Sequence, residues 1–317
     1  MNIPSHRSLF AATGLVLAAF FCVSAQKDGE KQRVRTVSIP ISIYTKAELE
    51  QGKTEELLQV ETLSVLENNE PQQLLSIRSR TDVPLSLAIL VQDDLSPTVN
   101  LNLRDISKFV SGLPKGSRVM VAYMRAGSLD VRQKFTDDLE KAAGSFRVIF
   151  SNSSSAPRSP YDGVSEALNR FDALPAGRRA ILMISNGLDL SSGEAFSSPG
   201  LSNELQAAIR KAQRKNVAVY SIYASTSDNA PSPSLGVLNG QASLAVMADE
   251  TGGRMFATGT ITPINFEPFL RQLNVLLGRQ FLLTYLSEHI KKGYYKVEVK
   301  SSNPEVKIEH PKGYFYR

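Results

Sequence analysis

LAILVQDDLSPTVN, residues 87–100, begins as an unbroken apolar run, stops at two aspartates, and then places Ser96 and Thr98 at alternate positions. A run with no polar alternation, reaching back to Leu85, is the pattern of a strand covered on both faces, as in parallel sheets wrapped by helices. Downstream of it, strand and helix patterns alternate. Leu103, Ile106 and Val110 recur at helical spacing. Arg118–Met124 reads as a strand with Leu129–Phe135 as its hairpin partner, and Thr136 or Asp137 starts a helix running to about Phe150. A Ser-rich loop leads to a helix over Pro160–Phe171, then a buried strand over Ala180–Ser185 and a helix over Ser202–Lys215. A strand over Val217–Tyr223, a helix over Gln241–Glu250, a short strand at Arg254–Ala257 and a helix over Pro263–Leu277 complete the series. This alternation predicts an α/β fold, a mostly parallel central sheet flanked by helices. Such sheets bind their ligands in the loops beyond the carboxyl ends of the strands.

The two ends of the chain read differently. Val34–Tyr44, Leu57–Leu66 and Gln73–Ser79 read as strands, the last two separated by the polar turn ENNEPQ. Gln280–Leu286, Tyr294–Lys300 and Val306–Glu309 return to strand pattern at the other end. These segments are expected to pair into one small β module. The expected organisation is a signal segment over 1–25, an N-terminal β segment over 26–82, an α/β domain over 83–277 and a C-terminal β segment over 278–317.

The first 25 residues carry the three-part layout of a secretory signal. His6 and Arg7 precede the apolar run LFAATGLVLAAFFCV, and Val23-Ser24-Ala25 supplies small residues before Gln26. An uncleaved anchor is the alternative reading, since the run approaches the ~20 residues a bilayer requires. Cleavage would remove Cys22, the chain's one cysteine, excluding disulfides and thiolate chemistry from what remains. The expected location is secreted, periplasmic or cell-envelope, with no membrane span after cleavage. Net charge is +5, and from Gly278 onward eight Lys/Arg stand against four Asp/Glu. That excess reads as a solvated face and gives no reason to expect nucleic acid. Asn152-Ser153-Ser154 matches a glycosylation acceptor, which counts only in a eukaryotic secretory pathway.

Only one register of QDDLSPT puts a carboxylate and two hydroxyls at alternate positions: Asp94, Ser96, Thr98. Oxygen ligands of this kind suit a hard divalent cation. They equally suit a strand ending in a polar turn, with Thr98 or Asn100 capping the next helix. Ser159 precedes Pro160, with Asp162 three residues on, a helix-start pattern. Asn186-Gly187 after the Ala180–Ser185 strand reads as a turn, with Asp189 close behind.

Taken in order, Asp94-x-Ser96-x-Thr98, SPYDG, ISNGLD, VAVYSIYA and ADETGGRMF resemble a von Willebrand factor A domain. More closely, the chain resembles the VWFA-related Acidobacterial domain proteins, through ENNEPQ, Thr251-Gly252-Gly253-Arg254 with Phe256, FLLTY and the terminal KGYFY. The resemblance implies a Rossmann-like vWA fold with a metal-ion-dependent adhesion site holding one Mg²⁺ or Mn²⁺ and binding a protein partner. Carried over, Asp94, Ser96 and Thr98 match the first motif, Ser159 the second-loop threonine and Asn186 the third-loop aspartate. Pro97 stands where glycine is usual, and Asn186 lacks the charge an aspartate would bring. The implied function is a secreted protein-binding or adhesion module with a degenerate site. The alternatives are an envelope structural or assembly protein with a non-functional site, and a hydrolase. An enzyme is not expected: the three histidines are His6, His289 and His310, all outside the α/β domain. Neither GxSxG, HExxH, a P-loop nor GxGxxG occurs.

Overall fold

The protein is seen in a computed structural model that describes residues 34–53, 63–78, 84–125, 127–150, 159–175, 177–193, 197–227 and 234–316. The signal segment, Cys22 and the Asn152 acceptor lie outside these residues, as does the first part of the Leu57–Leu66 strand. Among the described residues no helix is long and apolar enough to cross a membrane.

The chain opens with β1 (Arg35–Thr45), α1 (Lys46–Gln51), β2 (Leu63–Glu67) and β3 (Glu70–Arg78). Next come β4 (Leu85–Gln92), a 3₁₀ turn (Pro97–Asn102), α2 (Leu103–Ser111), β5 (Arg118–Arg125), β6 (Ser128–Thr136) and α3 (Leu139–Ala143). They are followed by α4 (Pro160–Arg170), β7 (Arg178–Ser185), α5 (Asn203–Lys215), β8 (Val217–Tyr223), α6 (Leu235–Thr251), β9 (Met255–Phe256) and α7 (Glu267–Gly278). Four strands close the chain: β10 (Gln280–Ser287), β11 (Gly293–Ser301), β12 (Val306–Glu309) and β13 (Gly313–Tyr316).

These strands form two sheets. One has the order β6-β5-β4-β7-β8-β9, parallel throughout except for the antiparallel edge strand β6. Counted within the sheet this is 3-2-1-4-5-6, the doubly wound order, and its reversal point lies between β4 and β7. Every residue of β4 and β8 is buried, the consequence of helices on both faces. One core layer includes Leu87, Ile89, Leu182 and Leu273, the other Leu90, Met183, Val164 and Leu205.

The second sheet is antiparallel, in the order β12-β1-β10-β3-β2-β11-β13. Both terminal segments contribute to it, but it is not small: it has more strands than the α/β sheet. Its hairpin β2–β3 turns at Asn68 and Asn69, both with positive φ, as a two-residue turn requires. At its centre Glu67 is fully buried. The carboxylate accepts from Tyr285 Oη and Tyr314 Oη at 2.7 Å and from Ser287 Oγ at 2.5 Å, and faces His289 Nδ1 at 2.8 Å. The Arg35 guanidinium lies 3.8 Å away and rests on the rings of Tyr295, Tyr314 and Tyr316.

Side chains join the sheets. Ser42 of β1 meets Tyr220 of β8 at 3.2 Å and Arg254, beside β9, pairs with Glu309 of β12, while within the α/β half Arg178 of β7 donates to the Leu277 carbonyl of α7. Buried Glu48 of α1 receives Arg279 at 2.9 Å.

Three helices depart from expectation. The helix expected to reach Phe150 ends at Ala143, because Gly144 closes it and Arg147 turns back to the strand ends. α6 begins six residues before the expected Gln241, capped by Ser234. α7 begins at Glu267 rather than Pro263, whose carbonyl is taken by Asn102. α1 has no counterpart among the expected elements, although Thr45 and Glu48 form a reciprocal capping box.

Candidate functional site

The reversal of strand order between β4 and β7 leaves a crevice at their carboxyl ends, where ligands of doubly wound sheets bind. Gln92, the last residue of β4, bridges it. Its amide nitrogen donates to Asp94 Oδ1 at 2.7 Å, while its Oε1 accepts from Ser185 Oγ and, at 3.2 Å, from the Asn186 backbone N–H. One neutral side chain thus ties the first loop to the third. Neither Gln92 nor Ser185 is among the residues that sequence patterns single out. The available signal is a polar residue closing the apolar run of each of two neighbouring strands.

The candidate residues are distributed around this bridge. Ser96 is buried, caps the 3₁₀ turn by accepting from Thr98 N–H at 3.2 Å, and donates its own N–H to the Ser225 carbonyl at 2.9 Å. Asp94 and Thr98 are half-buried beside it. Ser159 is buried at the N-cap of α4 and accepts from Tyr161 N–H at 3.3 Å. Two residues on, the fully buried Tyr161 sends its hydroxyl to the Gly187 carbonyl at 2.8 Å, joining the second loop to the third. Burial pushes this phenol well above its ordinary range. Asn186 Oδ1 accepts from Leu188 N–H at 3.0 Å, closing an Asx turn. Gly187 has φ +69°, and a β-carbon there would stand 2.3 Å from the Gly240 carbonyl. The turn therefore requires glycine.

Two further carboxylates could offset a neutral Asn186, and both are committed. Asp93 receives both terminal nitrogens of Arg147, at 2.9 and 3.0 Å, with the guanidinium 4.1 Å from the Tyr123 ring centroid. The bond to Asp93 raises the Arg147 pKa against the opposing effect of burial. Asp189 is buried and accepts from Ser191 N–H at 3.0 Å, Ser191 Oγ at 2.7 Å and Ser202 Oγ. Burial pushes its pKa up, and these hydrogen bonds outweigh that to hold it below the usual carboxylate value.

A resident Mg²⁺ or Mn²⁺ would need several oxygens and enough negative charge to replace its hydration. The candidate set offers one carboxylate, three hydroxyls and an amide, and Ser96, Ser159 and Asn186 already accept backbone N–H groups through their side chains. Among the described residues no three His, Cys, Asp or Glu side chains are grouped to hold a metal. The set brings a single negative charge, less than an aspartate in place of Asn186 would give, and this supports an ion-free reading of the edge. Asn186 opens onto a cleft of about 190 Å³, shared with Leu188, Tyr223, Ser225, Ser234 and Val237.

Apolar side chains stand exposed around the same edge. The Asn100 side chain exchanges two 2.9 Å hydrogen bonds with the Ile149 backbone, and Asn102 bonds Pro263 O and Phe266 N–H. Two segments are thereby held against the 3₁₀ turn. From them and from the turn, Leu101, Val148, Phe150 and Ile264 project outward, Phe150 75% and Ile264 76% exposed.

No protein-family model and no curated protein matches the chain. Solved structures similar to it include an aerotolerance-related membrane protein from Bacteroides fragilis, at 15% identity over 61% of this chain and 98% of that one, with TM-score 0.45. BatB from Bacteroides thetaiotaomicron is similar at 15% identity, over 61% and 97% of the two chains, with TM-score 0.42. A von Willebrand factor type A protein from Catenulispora acidiphila is similar at 9% identity, over 82% and 75%, with TM-score 0.44.

Proposed function

We propose that this chain is an exported protein-binding module that docks a partner protein across the strand-end edge of its α/β sheet, without a resident ion. The observation that supports the reading is the set of exposed apolar side chains on the 3₁₀ turn and the segments tied to it. Large exposed apolar groups clustered within a polar surround mark protein contact sites. Their backbone is held by asparagine side chains, so little ordering is required when a partner arrives. The hydrogen-bonded crevice beneath them gives the edge a fixed shape, and Gln92 supplies the link that a shared cation would supply in a metal-dependent adhesion site.

The test is capture of a partner from the native envelope fraction by the wild-type protein, by Phe150→Asp and by Ile264→Asp, each with and without chelator. One protein should be retained by the wild type in both conditions and lost from both variants, with melting temperatures unchanged. Loss of capture on chelation would overturn the ion-free reading. Undiminished capture by both variants would overturn the docking edge.

A further inference from the structure

In an Asn-Gly pair the asparagine readily loses its amide nitrogen, because the following residue brings no side chain to crowd ring closure. The chain has two such pairs, Asn186-Gly187 and Asn239-Gly240, and the fold treats them oppositely. At the first pair the reacting groups are arranged for the step. The Asx turn folds the Asn186 side chain over the peptide bond that follows it, and Leu188 N–H donates to Oδ1 at 3.0 Å. That donor stands where negative charge gathers when a nitrogen adds to Cγ. The nucleophile is Gly187 N, whose N–H is held by the Ser185 hydroxyl at 2.9 Å and not by a ladder carbonyl. Asn186 is half-buried and lines the cleft beside Tyr223 and Ser225, which gives water and hydroxide a way in.

The second pair lies inside α6. Helical backbone tilts the Asn239 side chain toward the helix N-terminus, away from the nitrogen it would need, and engages Gly240 N–H in an i→i−4 bond. Asn239 Nδ2 is also tied to Ser197 Oγ at 3.0 Å.

We infer that Asn186 is a modification site, converting itself to aspartate in the folded protein. Gly187 N loses its proton to hydroxide and bonds to Asn186 Cγ. The Cγ–Nδ2 bond breaks, and Nδ2 leaves as ammonia after taking a proton from water. The five-membered imide then adds one water. Hydrolysis at the backbone carbonyl would leave isoaspartate with a lengthened main chain, whereas hydrolysis at Cγ leaves ordinary aspartate. The Asn186 carbonyl is packed so closely on Gly240 that a β-carbon there would stand 2.2 Å from it. Water therefore enters from the cleft at Cγ, and aspartate is the product. The turn survives, since a carboxylate oxygen also accepts from Leu188 N–H. The crevice gains a carboxylate across Gln92 from Asp94. This inference does not rest on the docking edge.

The full chain is held in mildly alkaline buffer, native and in guanidinium chloride, and the peptides carrying each pair are followed by mass spectrometry. In denaturant the two asparagines should react at similar rates. In the native protein Asn186 should react at least ~10-fold faster than Asn239, because only there does the turn bring the nitrogen toward Cγ. Fragmentation that separates the two isomers should show aspartate at 186 in the native sample and a larger share of isoaspartate in the denatured one. Aged native protein should co-elute with Asn186→Asp on ion exchange. Asn186→Gln, which would need a six-membered ring, should not age at this position. Asn186 left intact in the native protein over a time that converts it fully in denaturant would overturn the inference, as would equal rates at the two native sites. Native isoaspartate in excess would overturn the route of water through the cleft.

Discussion

Asp94 and Glu67 each close a strand region with a carboxylate, and their surroundings differ in kind. Asp94 is half-buried at the end of the α/β sheet and takes a neutral amide from Gln92. Glu67 is fully enclosed in the antiparallel sheet, where two tyrosines, a serine and a histidine meet it and Arg35 stands within ion-pair distance. Burial first, then the charges of Tyr314 and Glu67, pushes the Tyr285 phenol far above its ordinary range, so it stays a donor. A carboxylate that can reach water tolerates loss of a partner, whereas an enclosed one must have all its hydrogen bonds made inside the fold. The carboxylate assigned to the metal-site motif is therefore the less constrained of the two, and the more constrained one opens ENNEPQ and meets tyrosines from FLLTY and KGYFY.

The largest effect that would sharpen this contrast is expected at Glu67. Glu67→Ala strands the Arg35 charge and three hydroxyl donors, and should cost about 3–5 kcal/mol in denaturant unfolding. A cost near that of a surface substitution would break the comparison. An intermediate effect is expected at Asp189, where Asp189→Asn should cost about 2 kcal/mol at neutral pH through weakened charged hydrogen bonds. Because the folded pKa is depressed, the ionised group's contribution is complete above the unfolded value of about 3.9 and is lost as pH falls through the folded pKa. The gap between wild type and variant should therefore shrink below pH ~4 and stay constant above pH ~5 in a pH series of melts. The smallest effect is expected at Asp94. Asp94→Ala should cost under ~1 kcal/mol, and millimolar Mg²⁺ or Mn²⁺ should leave the melting temperatures of wild type and variant where they were. A rise in the wild type alone would restore the ion and raise Asp94 to the standing of Glu67.

The α/β half was legible because its signals are local. Continuous apolar runs at Leu85–Gln92, Ala180–Ser185 and Val217–Tyr223 are strands of a helix-covered sheet, and each lies in the observed β4, β7 or β8. The size of the antiparallel sheet was not legible, since its pairings join distant segments: Ser38 meets Thr284 from 246 positions away. The start of α6 was not legible because Gly236 and Gly240, in the stretch before Gln241, are poor helix formers. Gly240 is there for close approach, because a β-carbon would stand 2.2 Å from the Asn186 carbonyl. Of the candidate site, the positions of Asp94 and Asn186 at loop starts and of Ser159 at a helix start could be read from turn and capping chemistry. The bridge through Gln92 could not, because a glutamine's partners depend on which strands lie side by side. Arg147 was hidden for a related reason: it was expected inside a helix that Gly144 ends early.

The pairing of β1 with β10 and β12 has a consequence for how the polypeptide matures. Emerging from a ribosome or a translocon, the first strand must wait until nearly everything else has been synthesised before its neighbours exist. The hairpin β2–β3 can close at once, while β1 has only its own short helix nearby. Late closure of so long a loop makes the last step of folding slow. A chain stalled before Gln280 would hold a complete helix-wrapped sheet and an unclasped collar.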